Sequence, residues 1–150
     1  MHPFDFKSAL LAKHAQHVVL VHFPIALFLT GVAFDLSAQW RKRQALADAA
    51  YYNFLVAAVT TLPVLASGLL AWQWQLEGTP LQGTLLLHAL FGLTSAGGIL
   101  VLWWLRFRQR HQSDHAPGSL YLALTLIVLL LVAVTGHLGG FVSGVNTAGN

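Results

Sequence analysis

Apolar residues occur in four long runs that are separated by short polar segments. The runs cover residues 18–40, 51–74, 83–105 and 119–137. A membrane-spanning helix needs about 20 mostly apolar residues, so each run is long enough to cross a bilayer. Because the connecting segments are short, consecutive helices are expected to be antiparallel neighbours. The pattern predicts an all-α fold, a transmembrane up-down-up-down four-helix bundle.

The composition agrees with a membrane protein. Of the 150 residues, 56% are hydrophobic and only 9% are charged, whereas about 25% of the residues in a soluble domain are charged. We predict one transmembrane domain at 17–142, preceded by an N-terminal tail or interfacial segment at 1–16 and followed by a flexible C-terminal tail at 143–150. The chain has no cysteine, which excludes disulfides, iron–sulfur ligation and haem attached through thioether bonds.

The positive charges predict the direction of the bundle. The first and third connecting segments hold six Lys and Arg residues, and the opposite side holds two. The six are Arg41, Lys42, Arg43, Arg106, Arg108 and Arg110, and the two are Lys7 and Lys13. Cytoplasmic loops carry an excess of Lys and Arg. We therefore expect a multi-pass protein of the bacterial inner (cytoplasmic) membrane with both termini in the periplasm.

Three of the predicted helices carry a histidine toward the periplasmic side. These are His22, His88 and His137, while His17 lies at the outer boundary of the first run and His14 lies one turn above it. Ionisable groups at membrane depth usually face the bundle interior, and a neutral imidazole binds haem iron, zinc or copper. The pattern favours a shared cofactor or metal site over three separate interhelical hydrogen bonds.

The spacing of the first two histidines separates their roles. His17 and His22 are five residues apart, which places them about 140° apart on a regular helix. We expect the helix to begin near His17, so that His22 points inward, His17 lies at the rim and Pro24 falls in the first turns, where its cost is small. His22 and His88 are then the preferred axial ligands of a haem. His137 is the alternative ligand or, with His17, a ligand of a second centre.

Small residues near these histidines would make room for a flat macrocycle or allow close helix packing. They occur in "FGLTSAGG" of the third run and in "TGHLGG" of the fourth. Few acidic residues accompany the histidines, which argues against a carboxylate-bridged di-metal site. A three-histidine zinc or copper site stays open as an alternative. Asp35, in the first run, is interpreted as structural and is expected to pair with Arg41, Arg43 or a neighbouring helix.

Several segments resemble the DUF2231 family of small bacterial four-helix membrane proteins. In "HVVLVHFPIALFLTGVAFDLSA" the matching residues are His17, His22, Phe23, Pro24, Ile25 and Asp35. Val18 stands where the family typically has proline. "SGLLAW", "LLHALFGL" and "TGHLGGFVSGVN" resemble parts of the other three helices, although the acidic residue often found before the tryptophan of the second is absent here.

The resemblance implies the fold and the membrane location. Some relatives are fused to cytochrome c-like or Rieske-like domains, which implies electron transfer with a periplasmic cytochrome or Rieske-type partner. Together with the histidines, this predicts a non-catalytic b-type cytochrome-like protein that binds haem b and no nucleic acid. The alternatives are a zinc- or copper-binding membrane protein and a cofactor-free structural or assembly subunit. A homo-oligomer and a subunit of a larger complex both stay open.

Overall fold

The computed structural model describes residues 15–109 and 118–144. Within these ranges the chain forms four α-helices and no strand. The helices are α1 (Ala15–Arg41), α2 (Gln44–Gln75), α3 (Gly83–Gln109) and α4 (Ser119–Val142). All four are long enough and apolar enough to cross a membrane. The predicted all-α four-helix membrane fold is confirmed.

The helices extend beyond the apolar runs that predicted them. Because α1 begins at Ala15, Pro24 lies in the helix interior, and the expectation that it falls in the first turns is wrong. The ring leaves the carbonyl of Leu20 without its helical donor. The second helix begins at Gln44 rather than near residue 51. Its first two turns carry two polar side chains, and the Gln44 side-chain amide donates a hydrogen bond to Asp48 Oδ1 over 3.1 Å.

Only Lys42 and Arg43 separate α1 from α2. The backbone N–H of Arg43 donates to the carbonyl of Ala38 at 3.3 Å, and Lys42 has a positive φ of 50°. This is the arrangement that often ends a helix with a glycine in the left-handed conformation. For a residue with a Cβ, this conformation is less favourable by roughly 1–2 kcal/mol. The resulting turn is tight enough to hold α1 directly against α2.

The bundle consists of two helical hairpins. The first helix packs mainly along α2, and α4 packs mainly along α3, whereas the two hairpins contact each other mostly through α2 and α3. Glycines bring the helices of each hairpin together. A Cβ added at Gly31 would lie 3.1 Å from the ring of Phe54, and one added at Gly98 would lie 2.5 Å from Val128 Cγ2. Small residues commonly allow membrane helices to approach closely in this way.

The close-packed core occupies the half of the bundle nearest the turn between α1 and α2. Along the four helices, the buried residues reach as far as Pro24, Val64, Ser95 and Val132 toward the opposite end. Beyond these positions no described side chain is classed as buried. The largest fully buried apolar side chains are Phe28, Phe54, Leu102 and Val128. All of the histidines that the structure describes therefore lie in the less densely packed half.

A buried ion pair connects α1 and α3 within the packed half. The Asp35 carboxylate contacts the Arg106 guanidinium, and the two residues are only 2% and 9% exposed. Arg106 also donates to Gln109 Oε1 at 3.4 Å, and its guanidinium carbon lies 5.1 Å from the centre of the Tyr121 ring, as in a cation–π contact. Of the partners expected for Asp35, the structure shows the one on a neighbouring helix.

Candidate histidine site

His17 is attached to the second helix by a hydrogen bond. Its Nδ1 lies 2.9 Å from the hydroxyl oxygen of Ser67. The Ser67 hydroxyl has one proton, which it donates to the carbonyl of Val64 at 2.9 Å, so it accepts a hydrogen bond from His17 Nδ1–H. In the neutral imidazole this tautomer leaves a lone pair on Nε2, the atom that can bind a metal.

His88 is attached to the fourth helix in a similar way. Its Nδ1 lies 3.1 Å from the backbone carbonyl oxygen of Thr135. A carbonyl oxygen can only accept, so His88 Nδ1 carries the proton and Nε2 again has the lone pair. The Thr135 hydroxyl binds elsewhere, to the Leu131 carbonyl at 2.8 Å and to Ser95 Oγ at 3.1 Å. Both histidines therefore present the same nitrogen for ligation.

A glycine of the neighbouring helix lies against each imidazole ring. A Cβ built at Gly68 would be 3.1 Å from Cε1 of His17, and a Cβ built at Gly139 would be 3.1 Å from Cε1 of His88. These distances are shorter than an ordinary van der Waals contact. Glycine therefore allows each ring to lie flush against the helix to which it is hydrogen-bonded, and a larger residue would displace the ring.

The two arrangements occupy corresponding positions in the two hairpins. Each histidine precedes the first buried residue of its helix by seven residues, or about 10 Å along the axis. Each hydrogen-bonding residue on the neighbouring helix follows the last buried residue of that helix by three residues. The two imidazoles are consequently held at the same level of the bundle.

The Asp35–Arg106 ion pair indicates that the α1 face carrying His17 and the α3 face carrying His88 are turned toward each other. Asp35 follows His17 by 18 residues, and Arg106 follows His88 by 18 residues. Eighteen residues make five full turns of an α-helix, so each histidine lies on the same helix face as its charged residue. Since the charged residues contact each other, the faces that carry the histidines are turned toward each other.

His22 points away from this site. Its side chain is exposed, and its Nδ1 lies 2.6 Å from the carbonyl oxygen of Val18 in its own helix. The expected orientations, with His22 inward and His17 at the rim, are therefore reversed in the structure. The five-residue spacing places His17 and His22 about 140° apart, and the packing of α1 against α2 turns the face with His17, rather than the face with His22, toward Ser67.

His137 does not join His17 and His88. The His137 side chain is exposed, and its ring lies edge-on to Phe141 with the centroids 5.0 Å apart. His14 lies outside the described residues. Among residues 15–109 and 118–144, no group of three or more His, Cys, Asp and Glu side chains is arranged to hold a metal ion. Of the predicted ligands in that part of the chain, His17 and His88 are the two that are half-buried and hydrogen-bonded to a neighbouring helix.

Four residues of the site were not predicted from the sequence. They are the two hydrogen-bonding residues and the two glycines, namely Ser67, Gly68, Thr135 and Gly139. Thr135 and Gly139 lie in "TGHLGG", whose small residues were expected to make room for a macrocycle or allow close packing, although neither was assigned to a particular histidine. A signal for the other two was present, because a Ser-Gly pair interrupts the second apolar run on the histidine side. Another signal was the 18-residue spacing that repeats in the first and third runs.

Comparison with known families supports the membrane fold. The family model described as "Predicted membrane protein (DUF2231)" matches residues 13–149, which include all four helices and both facing histidines. No match was found among curated proteins or among solved structures. A family match over nearly the whole chain is sufficient for assignment, and the chain therefore belongs to the DUF2231 family of predicted membrane proteins.

Proposed function

We propose that this protein is a membrane b-type cytochrome-like protein that carries single electrons, with His17 and His88 as the axial ligands of one haem b. The observation that supports this proposal is the paired arrangement of the two imidazoles. Each is held by an Nδ1 hydrogen bond and a glycine on a neighbouring helix, at one level and on facing sides of the bundle.

The chemistry of the donor set fits such a cofactor. Metal-binding histidines usually donate their second ring N–H to a carbonyl or another acceptor, which fixes the tautomer and the ring orientation. Ser67 Oγ and the Thr135 carbonyl are acceptors of this kind. A haem held by two neutral imidazoles has no open coordination position, so it supplies one-electron transfer rather than oxygen activation.

The proposed pair of axial ligands differs in one residue from the pair expected from the sequence. His88 keeps its role, and His17 takes the place of His22. The reason is orientation, because His22 is exposed and bonded to its own helix, whereas His17 contacts α2. The loosely packed half of the bundle, in which no described side chain is classed as buried, is where the macrocycle would lie.

The charge distribution supports a periplasmic position for this site. The end of the bundle opposite the histidines carries the exposed cations Arg41, Lys42, Arg43 and Arg108, whereas Arg106 is buried against Asp35. Under the positive-inside rule that end faces the cytoplasm of a bacterial inner membrane. The histidines would then exchange electrons with a periplasmic cytochrome or Rieske-type protein, the partner that the family resemblance implies.

Absorption spectra of four single variants test the ligand assignment. The protein is purified with and without each substitution after expression with an adequate haem supply, and spectra are recorded in the oxidised and reduced states. We expect the wild-type protein to show a Soret band and reduced-state bands. His17→Gln and His88→Gln should lose them, whereas the matched changes His22→Gln and His137→Gln should keep them.

The same preparations distinguish the competing functions. A wild-type protein that lacks a Soret band and contains stoichiometric zinc or copper by elemental analysis would support the metal-binding alternative. A wild-type protein with neither haem nor metal would support the cofactor-free subunit. Loss of haem on changing His22, with retention on changing His17, would return the axial role to the residue first expected from the sequence.

A further inference from the structure

A cavity of about 540 Å³ lies at the end of the bundle opposite the histidines. Its polar lining comes from Gln39 of α1, Lys42 and Arg43 of the connecting turn, Gln44 of α2 and Arg106 of α3. None of the proposed haem-site residues lines it. A ligand at this cavity would therefore be independent of the function proposed for the histidines.

The lining is cationic. No acidic residue occurs among the described residues that line the cavity. The charge of Arg106 is balanced by Asp35, so the exposed side chains of Lys42 and Arg43 remain as the net positive charge. The first turn of α2 also forms part of the wall, and that turn holds no acidic residue. The positive end of its helix dipole adds to the attraction for an anion.

Two buried donors in the lining have no hydrogen-bond acceptor. They are Nε2 of Gln39 and Nε of Arg106, and neither has a partner among the described residues. Arg106 is itself more than nine-tenths buried. Buried polar groups in native proteins are nearly always paired. Arg106 lies against the Asp35 carboxylate and the Tyr121 ring, whose Oδ1 and hydroxyl oxygen are likewise without a hydrogen-bond partner among the described residues. Gln39 is therefore the lining residue whose donor is left for a ligand with acceptor oxygens.

Lys42 places a cation at a backbone position suited to glycine. Lys42 has a φ of 50°, in the left-handed region that glycine adopts without steric cost. Its charge interacts favourably with the negative end of the α1 dipole and also contributes to the lining of the cavity. An energetically unfavourable conformation of this kind often accompanies a functional requirement.

Aromatic side chains place the cavity at the level of lipid headgroups. Trp40, next to the turn, is 83% exposed, and Trp104 stacks on Phe107 near the same end of α3 with ring centroids 5.6 Å apart. Exposed tryptophans of this kind are enriched where a membrane protein crosses the headgroup region. The available anion at this depth is the phosphate of a phospholipid, which basic pockets between membrane helices are known to bind.

We propose that this cavity binds the phosphate group of an anionic phospholipid headgroup. Lys42 and Arg43 supply the charge that selects an anionic lipid over a zwitterionic one. The side-chain amide of Gln39, which lines the cavity, donates a hydrogen bond to a phosphate oxygen. Charge-assisted hydrogen bonds of this type are the strong ones.

Native mass spectrometry of the full-length protein tests the proposal. The detergent-solubilised protein is incubated with an equimolar mixture of phosphatidylglycerol and phosphatidylcholine, and the lipid that remains bound is counted. We expect preferential retention of one phosphatidylglycerol by the wild-type protein. Lys42→Gly and Arg43→Gln should each reduce that retention about tenfold. The first of these changes relieves the left-handed backbone, so its thermal stability should be equal or higher.

Arg108→Gln is the matched control, because Arg108 is an exposed cation at the same end of the bundle that does not line the cavity. Unchanged retention by this variant supports a specific site. An equal loss in all three variants, or equal retention of the two lipids, would overturn the proposal. Displacement of bound phosphatidylglycerol by millimolar inorganic phosphate would overturn the lipid assignment and identify a soluble-phosphate site.

Discussion

The carboxylate of Asp35 in α1 pairs with the guanidinium of Arg106 in α3, and both side chains are buried. Each follows a histidine on the same helix face by 18 residues, which is about 27 Å along the axis. The Asp35–Arg106 contact therefore restricts how α1 and α3 can rotate about their own axes. The opposite ends of these two helices carry His17 and His88. The ion pair connects the packed half of the bundle to the geometry of the candidate site.

Breaking this ion pair should destabilise the bundle. Removing one partner of a buried pair leaves the other charge uncompensated, which typically costs about 3–5 kcal/mol. We expect Asp35→Asn to lower the thermal unfolding temperature of the detergent-solubilised protein markedly. The control Arg108→Gln removes an exposed arginine of the same helix and should leave that temperature nearly unchanged.

Replacing both members of the pair should recover much of the loss. The double change Asp35→Leu with Arg106→Met exchanges the two charges for apolar side chains, which is often neutral or stabilising when volumes are similar. A double variant as unstable as the single Asp35→Asn variant would show that the pair supports the fold through more than charge compensation.

The glycines beside the imidazoles should control cofactor binding. A methyl group at Gly68 or Gly139 would lie 3.1 Å from the ring of His17 or His88, so alanine must displace the imidazole. If haem binds as proposed, Gly68→Ala and Gly139→Ala should each weaken its retention by about tenfold, the lower end of the range for residues that orient ligands. Gly136→Ala is the control, because nothing lies within 4 Å of its Cβ position. Haem content after detergent exchange measures the effect.

The hydrogen-bond partners of the two histidines should respond differently to alanine. Ser67→Ala removes the acceptor for His17 Nδ1, and we expect haem affinity to fall about 10–100-fold. Thr135→Ala keeps the backbone carbonyl that His88 uses, so its effect should be much smaller. Haem titration of the apoprotein, followed at the Soret band, gives both affinities. Equal losses would show that the Thr135 hydroxyl supports haem binding as much as the Ser67 hydroxyl does.

Packing between α3 and α4 should depend on Gly98. A Cβ at that position would lie 2.5 Å from Val128 Cγ2, and overpacking of a core typically costs about 1–3 kcal/mol. We expect Gly98→Ala to lower the unfolding temperature and Val128→Ala to restore part of it in the double variant. At Gly97, where nothing lies within 4 Å, alanine should be neutral or slightly stabilising, as expected from helix propensity.

The four helices could be predicted from the sequence, whereas the start of α2 and the partner of Asp35 could not. The four helices were predicted because a membrane span needs a long apolar run, and the structure has all four. The start of α2 at Gln44 was missed because residues 41–49, which begin with three cations and contain Gln44 and Asp48, were interpreted as a connecting segment. The partner of Asp35 was left open, since residues 71 positions apart in the chain become neighbours only through the packing of α1 and α3.

Hydropathy, connector length and local motifs are properties of nearby residues, so they were enough to predict a four-helix membrane protein of the DUF2231 family. They also predicted that the histidines lie on one side of the bundle. Which histidine of α1 contacts a neighbouring helix depends on the packing of the helices. A separation of five residues places His17 and His22 on different faces of α1. The packing of α1 against α2 and α3 selects which face is turned inward. The contacts of His17 with Ser67 and Gly68 and the Asp35–Arg106 pair hold α1 in that orientation.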